Sequence, residues 1–175
     1  MFSDSHKMKL IDDAIYEVDA KFVNVSNKVD DSLIGANPSA EEAGENLDDG
    51  VERVIDLVHG NRLCETHFDP KGFKVYLKDY LKKVKELVAK KDPARVESFQ
   101  KAVETYMKNV LANFKDYQFF IGEKMDPNGC VALMNYREDG MTPYFVFLKD
   151  GLVEEKYVGF VVTLIIFFPV ILILY

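Results

Sequence analysis

Two segments in the middle of the chain carry apolar side chains at the spacing of an amphipathic helix. The apolar positions of the first segment are Phe73, Leu77, Tyr80, Leu81, Val84, Leu87 and Val88. Those of the second segment are Val96, Phe99, Val103, Tyr106, Met107, Val110, Leu111 and Phe114. An Asp-Pro pair opens each segment, and Asp is a favoured N-cap while Pro is favoured at the first helical position. Because almost no linker separates them, the two helices should form an antiparallel hairpin over about 69–114.

Shorter segments on both sides of this hairpin have the pattern of strands. Apolar and polar residues alternate over 16–22 and over 51–58, which predicts a strand in each case, half-buried in the first. After the hairpin, short apolar runs alternate with tight turns, which predicts an antiparallel meander. The expected fold class is therefore α+β, with a mostly antiparallel β-sheet core and a protruding antiparallel helical hairpin.

The stretch 114–123 connects the hairpin to the meander. Tyr117, Phe119, Phe120 and Ile121 put bulky side chains at four of five successive positions, which favours a strand buried on both faces. Gln118 is the polar exception within this run. If its amide is buried, it must find hydrogen-bond partners.

Two other stretches differ in composition from the rest of the chain. Residues 36–50 are acidic with almost nothing apolar, which predicts a mobile acidic loop. Residues 158–175 form a hydrophobic C-terminal segment without any charge. As a transmembrane helix this segment would extend about 27 Å, close to the roughly 30 Å hydrocarbon core of a bilayer. Two interpretations stay open, a C-terminal membrane anchor and a non-native tail such as translated non-coding sequence.

Charge is unevenly distributed along the chain. The formal net charge is -7, yet residues 68–91 contain eight lysines against three acids. An acidic chain with one lysine-rich segment is a poor nucleic-acid binder, but that segment could dock on an acidic partner surface. The alternative is a plain solvated helix face. The lysines proposed for binding are Lys74, Lys78, Lys82, Lys83 and Lys85.

No constellation of catalytic residues is recognisable, so we predict that the chain is not an enzyme. The histidines His6, His59 and His67 lack metal-site spacing. No glycine-rich phosphate loop occurs, so no organic cofactor is expected. Because the histidines lack metal-site spacing, no metal other than calcium is expected either. Two isolated cysteines, Cys64 and Cys130, are typical of a reducing compartment.

Several long motifs occur together in one order. They are Ile-Gly-Ala-Asn-Pro-Ser-Ala-Glu at 34–41, Phe-Lys-Asp-Tyr-Gln-Phe-Phe-Ile-Gly-Glu at 114–123, Asp-Pro-Asn-Gly-Cys-Val-Ala-Leu at 126–133, Asn-Tyr-Arg-Glu-Asp-Gly-Met-Thr-Pro-Tyr at 135–144 and Lys-Asp-Gly-Leu at 149–152. In these motifs the chain resembles the translationally controlled tumour protein family, also called histamine-releasing factor. The resemblance covers about residues 1–157 and identifies them as one domain.

The resemblance implies a cytoplasmic protein that binds calcium, associates with microtubules and acts in growth and survival through protein–protein binding. It favours tubulin as the acidic partner of the lysine face. Its matched motifs contain two neutral oxygen donors, Asn37 and Gln118, which we name as weak calcium ligands. The alternatives are that Asn37 caps a turn and that Gln118 bonds backbone inside the core. An irregular site is expected, because the acidic loop does not fit the EF-hand spacing.

A second function implied by the resemblance is regulation of a small GTPase in the manner of an exchange factor, beside binding to survival-pathway proteins. The family begins with more residues, including a strand, before the position of Met1, and usually stops near residues 156–157. We therefore expect an unpaired sheet edge and place the GTPase role in doubt. A membrane-tethered form of either function would follow if residues 158–175 act as an anchor.

Overall fold

The computed structural model describes residues 2–3, 5–26, 51–126, 128–156 and 163–166. Its strands and helices, in chain order, are β1 (Phe2–Ser3), β2 (Met8–Ile11), β3 (Ile15–Asp19), β4 (Phe22–Ser26), β5 (Val51–Ile55), α1 (Asp56–Gly60), β6 (Cys64–Thr66), α2 (Pro70–Lys91), α3 (Val96–Ala112), β7 (Gln118–Ile121), β8 (Ala132–Tyr136), β9 (Pro143–Leu148), β10 (Val153–Lys156) and β11 (Thr163–Ile166).

Antiparallel pairing organises the strands into three sheets. The main sheet has six strands in the order β2-β3-β9-β8-β7-β6. The strands β4 and β5 form a separate pair, and a three-stranded sheet has the order β1-β11-β10. This arrangement confirms the predicted α+β class with a mostly antiparallel sheet.

The helical hairpin forms where the apolar pattern and the Asp-Pro pairs predict it. The Asp69 side chain accepts a hydrogen bond from the Lys71 backbone N–H at 3.2 Å and so caps α2. Asp92 does the same for Ala94 at 3.1 Å, and a 3-10 turn from Pro93 to Arg95 then leads into α3. Local capping therefore fixes both helix starts.

The inner faces of both helices pack on one face of the main sheet. A small cavity of about 20 Å³ lies at this interface, and helix residues Leu77 and Met107 line it together with the strand residues Leu133, Val146 and Leu148. All five side chains are buried. The hairpin and the sheet therefore share one hydrophobic core.

A cluster of aromatic rings joins β7 to the start of α2. The Phe119 ring centroid lies 5.0 Å from that of Phe114, 5.1 Å from Phe73 and 5.5 Å from Phe68. Phe119 and its neighbour Phe120 are both buried, and successive strand side chains point to opposite faces. The prediction of a strand buried on both faces is thus correct at these two positions.

Two predicted strand boundaries were wrong. The alternation over 16–22 spans two strands in different sheets, because β3 ends at Asp19 and β4 begins at Phe22. The strand predicted over 51–58 ends at Ile55, where α1 begins. At this boundary the Asp56 carboxylate accepts hydrogen bonds from the backbone N–H groups of Lys21 and Leu57, and these bonds favour a turn over continued pairing.

The C-terminal apolar run differs most from its prediction. Residues 163–166 form strand β11 between β1 and β10, with Ile165 opposite both Phe2 and Glu154, so a helix through these four residues is excluded. The β-branched residues of this stretch, Thr163, Ile165 and Ile166, suit a strand. In the part of the chain that the structure describes, no helix is long and apolar enough to cross a membrane. The remaining residues of 158–175, like the predicted acidic loop at 36–50, lie outside the described residues.

The glycine at position 151 is required by close packing. A Cβ added to Gly151 would collide with the hydroxyl oxygen of Tyr80, with the ring carbon Cζ 3.4 Å away. Tyr80 is 4% exposed, and its hydroxyl has no hydrogen-bond partner of normal geometry among the described residues. The hydroxyl therefore occupies the space that any larger side chain at 151 would need.

We expect Gly151→Ala to destabilise the fold by about 1–3 kcal/mol, because overpacking a filled core forces neighbours to move. Tyr80→Phe removes only the hydroxyl and should change stability little. In the Tyr80→Phe background, Gly151→Ala should lower the free energy of unfolding by at least about 1 kcal/mol less than it does in the wild type. This difference is the coupling energy typical of two residues in contact. Urea unfolding of the four variants measures the coupling. Additive effects of the two substitutions would contradict the collision.

Candidate functional site

A stripe of exposed lysines runs along the outer side of α2. We call Lys74, Lys78, Lys82 and Lys85 the lysine stripe, and all four are exposed. At 3.6 residues per turn these positions fall within about 80° of one another around the helix axis. The stripe is therefore a continuous positive surface about three turns long.

A groove between α2 and α3 borders this stripe. Its volume is about 650 Å³, and its walls include Lys78, Lys82 and Lys85 on one side with Gln100 and Glu104 on the other. The Lys85 ammonium donates to Gln100 at 2.8 Å, and the Gln100 amide donates to Glu104 at 2.7 Å. The Lys85 ammonium is therefore held by a hydrogen bond to α3, whereas Lys78 and Lys82 are exposed to solvent.

The structure separates Lys83 from the other predicted lysines. It lies about 180° around the helix axis from Lys74 and is only partly exposed. Its ammonium is 3.3 Å from the amide oxygen of Asn128, in the turn between β7 and β8. Of the five predicted lysines, four share one surface and Lys83 belongs to the opposite side of α2.

Of the two predicted calcium ligands, the structure describes only Gln118. Gln118 begins β7, pairs opposite Met134 and is exposed, so the alternative that its amide bonds backbone inside the core is wrong. Asn37 lies outside the described residues. Over the described ranges, no group of three or more His, Cys, Asp or Glu side chains could hold a metal ion.

A buried charged network, which the sequence pattern did not reveal, ties α3 to the sheet. Glu17 is 7% exposed. It accepts a hydrogen bond from the Tyr106 hydroxyl at 2.8 Å and pairs with Arg137. Arg137 also donates from Nε to Asp19 at 2.8 Å, and its guanidinium carbon lies 4.0 Å from the centroid of the Tyr144 ring. Glu17 is a polar position of the alternation over 16–22, a pattern that predicts a solvent-facing side chain, so the sequence pattern gives the wrong face for it.

This network is structural rather than a reactive site. Burial raises the pKa of the Tyr106 hydroxyl, and its hydrogen bond to Glu17 raises it further, so the hydroxyl remains a donor at neutral pH. Burial also raises the Tyr144 pKa, with the Tyr117 hydroxyl as second cause. The guanidinium of Arg137 is occupied by two carboxylates and a ring, which leaves little of it for an anionic ligand.

A second buried carboxylate fastens the start of α3. Asp150 is 6% exposed and pairs with Arg95 at 3.2 Å, while Arg95 also reaches Asp13 at 2.9 Å. The Asp13 pKa is lowered, first by a hydrogen bond from Lys149 and also by Arg95. These contacts join the 3-10 turn before α3 to the β2–β3 turn and the segment after β9.

Removal of Arg137 should be costly, because it leaves the Glu17 carboxylate buried without its partner. We expect Arg137→Met to lower the free energy of unfolding by up to about 3–5 kcal/mol, and Glu17→Gln in the same chain to restore part of this loss. The control is Arg62→Met. Arg62 pairs with Glu123 at an N–O distance of 3.0 Å, and the Glu123 side chain is 62% exposed, so this substitution should lower the free energy of unfolding by under about 1 kcal/mol. Equal losses for the two arginine variants, measured by urea unfolding, would contradict this assignment.

The chain is similar in sequence to curated relatives along most of its length. A family model described as translationally controlled tumour protein matches residues 1–153. A translationally-controlled tumor protein homolog from Schistosoma japonicum is 59% identical over 157 residues, or 90% of this chain and 93% of the relative. A homolog from Mycosarcoma maydis is 53% identical over 156 residues, or 89% of this chain and 92% of the relative.

The fold is also similar to a solved structure. The translationally controlled tumor-associated protein p23fyp from Schizosaccharomyces pombe superposes with a TM-score of 0.73 at 50% sequence identity. The match covers 88% of this chain and 91% of that one.

Proposed function

This chain belongs to the translationally controlled tumour protein family, and from that premise we propose that it is a non-enzymatic cytoplasmic protein that associates with microtubules through the lysine stripe. Growth and survival roles would follow from such protein–protein binding. The observation that carries the proposal is that Lys74, Lys78, Lys82 and Lys85 form one exposed positive surface on a single capped helix.

The physical basis of the proposal is electrostatic complementarity to the acidic surface of tubulin. Charges at the rim of an interface act mainly by steering encounter and orientation, and salt screens them over about 8–10 Å. Binding through the stripe should therefore weaken steeply as ionic strength rises. The unpaired thiols of Cys64 and Cys130 are consistent with the reducing cytoplasm.

Neutralising the stripe should weaken microtubule binding without harming the fold. We expect Lys78→Gln combined with Lys82→Gln to raise the Kd about three- to tenfold at low salt, since exposed charge pairs contribute about 0.2–1 kcal/mol each. Co-sedimentation with microtubules at two salt concentrations measures this effect. The difference between variant and wild type should shrink at the higher concentration.

Two lysine pairs with different placement serve as controls. Lys108→Gln with Lys115→Gln removes the same charge from exposed positions outside the stripe and should leave the Kd nearly unchanged. Lys83→Gln removes the lysine on the opposite side of α2 and should also have little effect. If either control weakens binding as much as the stripe variant, general positive charge rather than this surface is responsible.

We also propose weak calcium binding that involves Gln118, whose exposed amide on β7 leaves its oxygen accessible to an ion. Calcium takes six or more oxygen ligands, so Gln118 would be one member of a set.

Loss of this one ligand should be measurable in a calcium titration followed by NMR. We expect Gln118→Ala to raise the apparent Kd about fivefold, which corresponds to about 1 kcal/mol. The matched control is Asn24→Ala, because Asn24 is also an exposed amide on a strand. Unchanged calcium-induced shifts in Gln118→Ala would remove Gln118 from the ligand set.

A further inference from the structure

A cleft of about 380 Å³ lies along α2, on the flank of the helix next to the lysine stripe. One wall is the helix, with Val75, Tyr76 and Asp79, and the other includes Phe68 and the loop around Met125. Its volume falls within the range of pockets that hold a ligand or an anchoring side chain, about 300–1,000 Å³. Asp79 lines both this cleft and the groove that borders the lysine stripe, so the two surfaces adjoin, but the cleft is lined mainly by Phe68, Tyr76 and the loop around Met125.

Exposed apolar side chains flank the cleft. Val75 is 64% exposed and Met125 is 61% exposed, which places both among the most exposed large apolar residues of the described chain. Met125 also has a φ of 49°, in the left-handed region that non-glycine residues seldom adopt. Both side chains line one cleft together with Phe68, Tyr76 and Ile121, and a contiguous exposed apolar patch, unlike scattered apolar residues, marks an interaction surface.

The edge of the main sheet borders the same cleft. In the described part of the chain, β7 is the only strand that pairs with β6, so the outer edge of β6 carries backbone groups that can pair with another strand. Thr66 of β6 pairs opposite Phe119, and cross-strand partners lie on the same face. Thr66 itself lines the cleft. A strand added beside β6 would therefore direct the side chain opposite Thr66 towards it.

The charges around the cleft favour a basic occupant. Asp79 is exposed and lines the cleft. Asp126 also lines the cleft and caps its own turn by accepting from the Asn128 N–H at 2.9 Å. The single lysine there, Lys83, lies 3.3 Å from the Asn128 amide oxygen. Two carboxylates against one lysine give the cleft a negative balance.

We propose that this cleft and the β6 edge together bind a short extended segment of a partner protein by strand addition. The segment pairs with Cys64–Thr66 through its backbone, inserts one apolar side chain between Val75 and Met125, and places a Lys or Arg near Asp79. Backbone pairing supplies affinity in this mode, and the pocket for alternate side chains supplies specificity.

Selection from a random linear peptide library displayed on phage tests the proposal with the whole chain as bait. The expected consensus is an apolar residue with Lys or Arg within two positions. Synthetic peptides of that consensus should shift the NMR signals of Thr66, Val75, Asp79 and Met125. A consensus rich in acidic residues, or shifts confined to the lysine stripe, would overturn the proposal.

Substitutions at the exposed rim of the cleft distinguish binding at this site from non-specific hydrophobic binding. Val75→Asp with Met125→Asp should weaken the selected peptide at least tenfold, because an apolar side chain loses its burial. Asp79→Asn should weaken it about threefold. Met141→Asp is the control, since Met141 is 74% exposed on the turn between β8 and β9, and it should leave the Kd unchanged.

The backbone component has its own test. Peptides N-methylated at alternate residues lose the N–H groups that pair with one neighbouring strand. One of the two methylation phases should weaken binding at least tenfold, while the other phase should not. Equal affinities for both phases and the parent peptide, or full binding to the Val75→Asp, Met125→Asp variant, would overturn the proposal.

Discussion

The packing of Phe119 against the start of α2 is the contact on which the surface architecture depends. Its ring lies about 5 Å from those of Phe73 and Phe114, and aromatic pairs at this distance add about 0.5–1.5 kcal/mol beyond their burial. Phe73 in this cluster, together with Leu77, Tyr80, Val84 and Val88, forms the buried face of α2, and this buried face sets the rotation of the helix about its axis. In this orientation of α2 the lysine stripe faces solvent, and Val75 and Asp79 lie on the wall of the cleft.

Electrostatic contacts secure the other end of the hairpin. Glu17 and Asp150 are the two buried carboxylates of the described chain, and each is paired with an arginine that comes from a distant part of the sequence. Buried ion pairs add little net stability, but a missing partner is costly. Such pairs therefore specify where α3 sits on the sheet. Because α2 packs beside α3 in the hairpin, this positioning also helps to hold the two exposed surfaces of α2 in place relative to the sheet.

Much of the fold could be predicted from local signals. The caps at Asp69 and Asp92 and the apolar stripes defined both helices, because capping and helical periodicity act within a few residues. Strand existence was predictable for the same reason. Strand ends were not, since the alternation across 16–22 gives no sign that the chain changes sheets after Asp19. The candidate site was predictable as a lysine-rich helix, whereas the cleft beside it was not.

Motifs, caps and composition are properties of the chain alone, and they were enough to predict the family, the α+β class, the helical hairpin and the positive character of α2. The burial of Glu17, the exposure of Gln118 and the separation of Lys83 from the lysine stripe became visible once the chain was folded. Each of these depends on which elements pack together, and that information lies in contacts between residues far apart in sequence. The stretch 163–166 is a strand for the same reason, because β1 and β10 provide the pairing that an apolar run alone does not reveal.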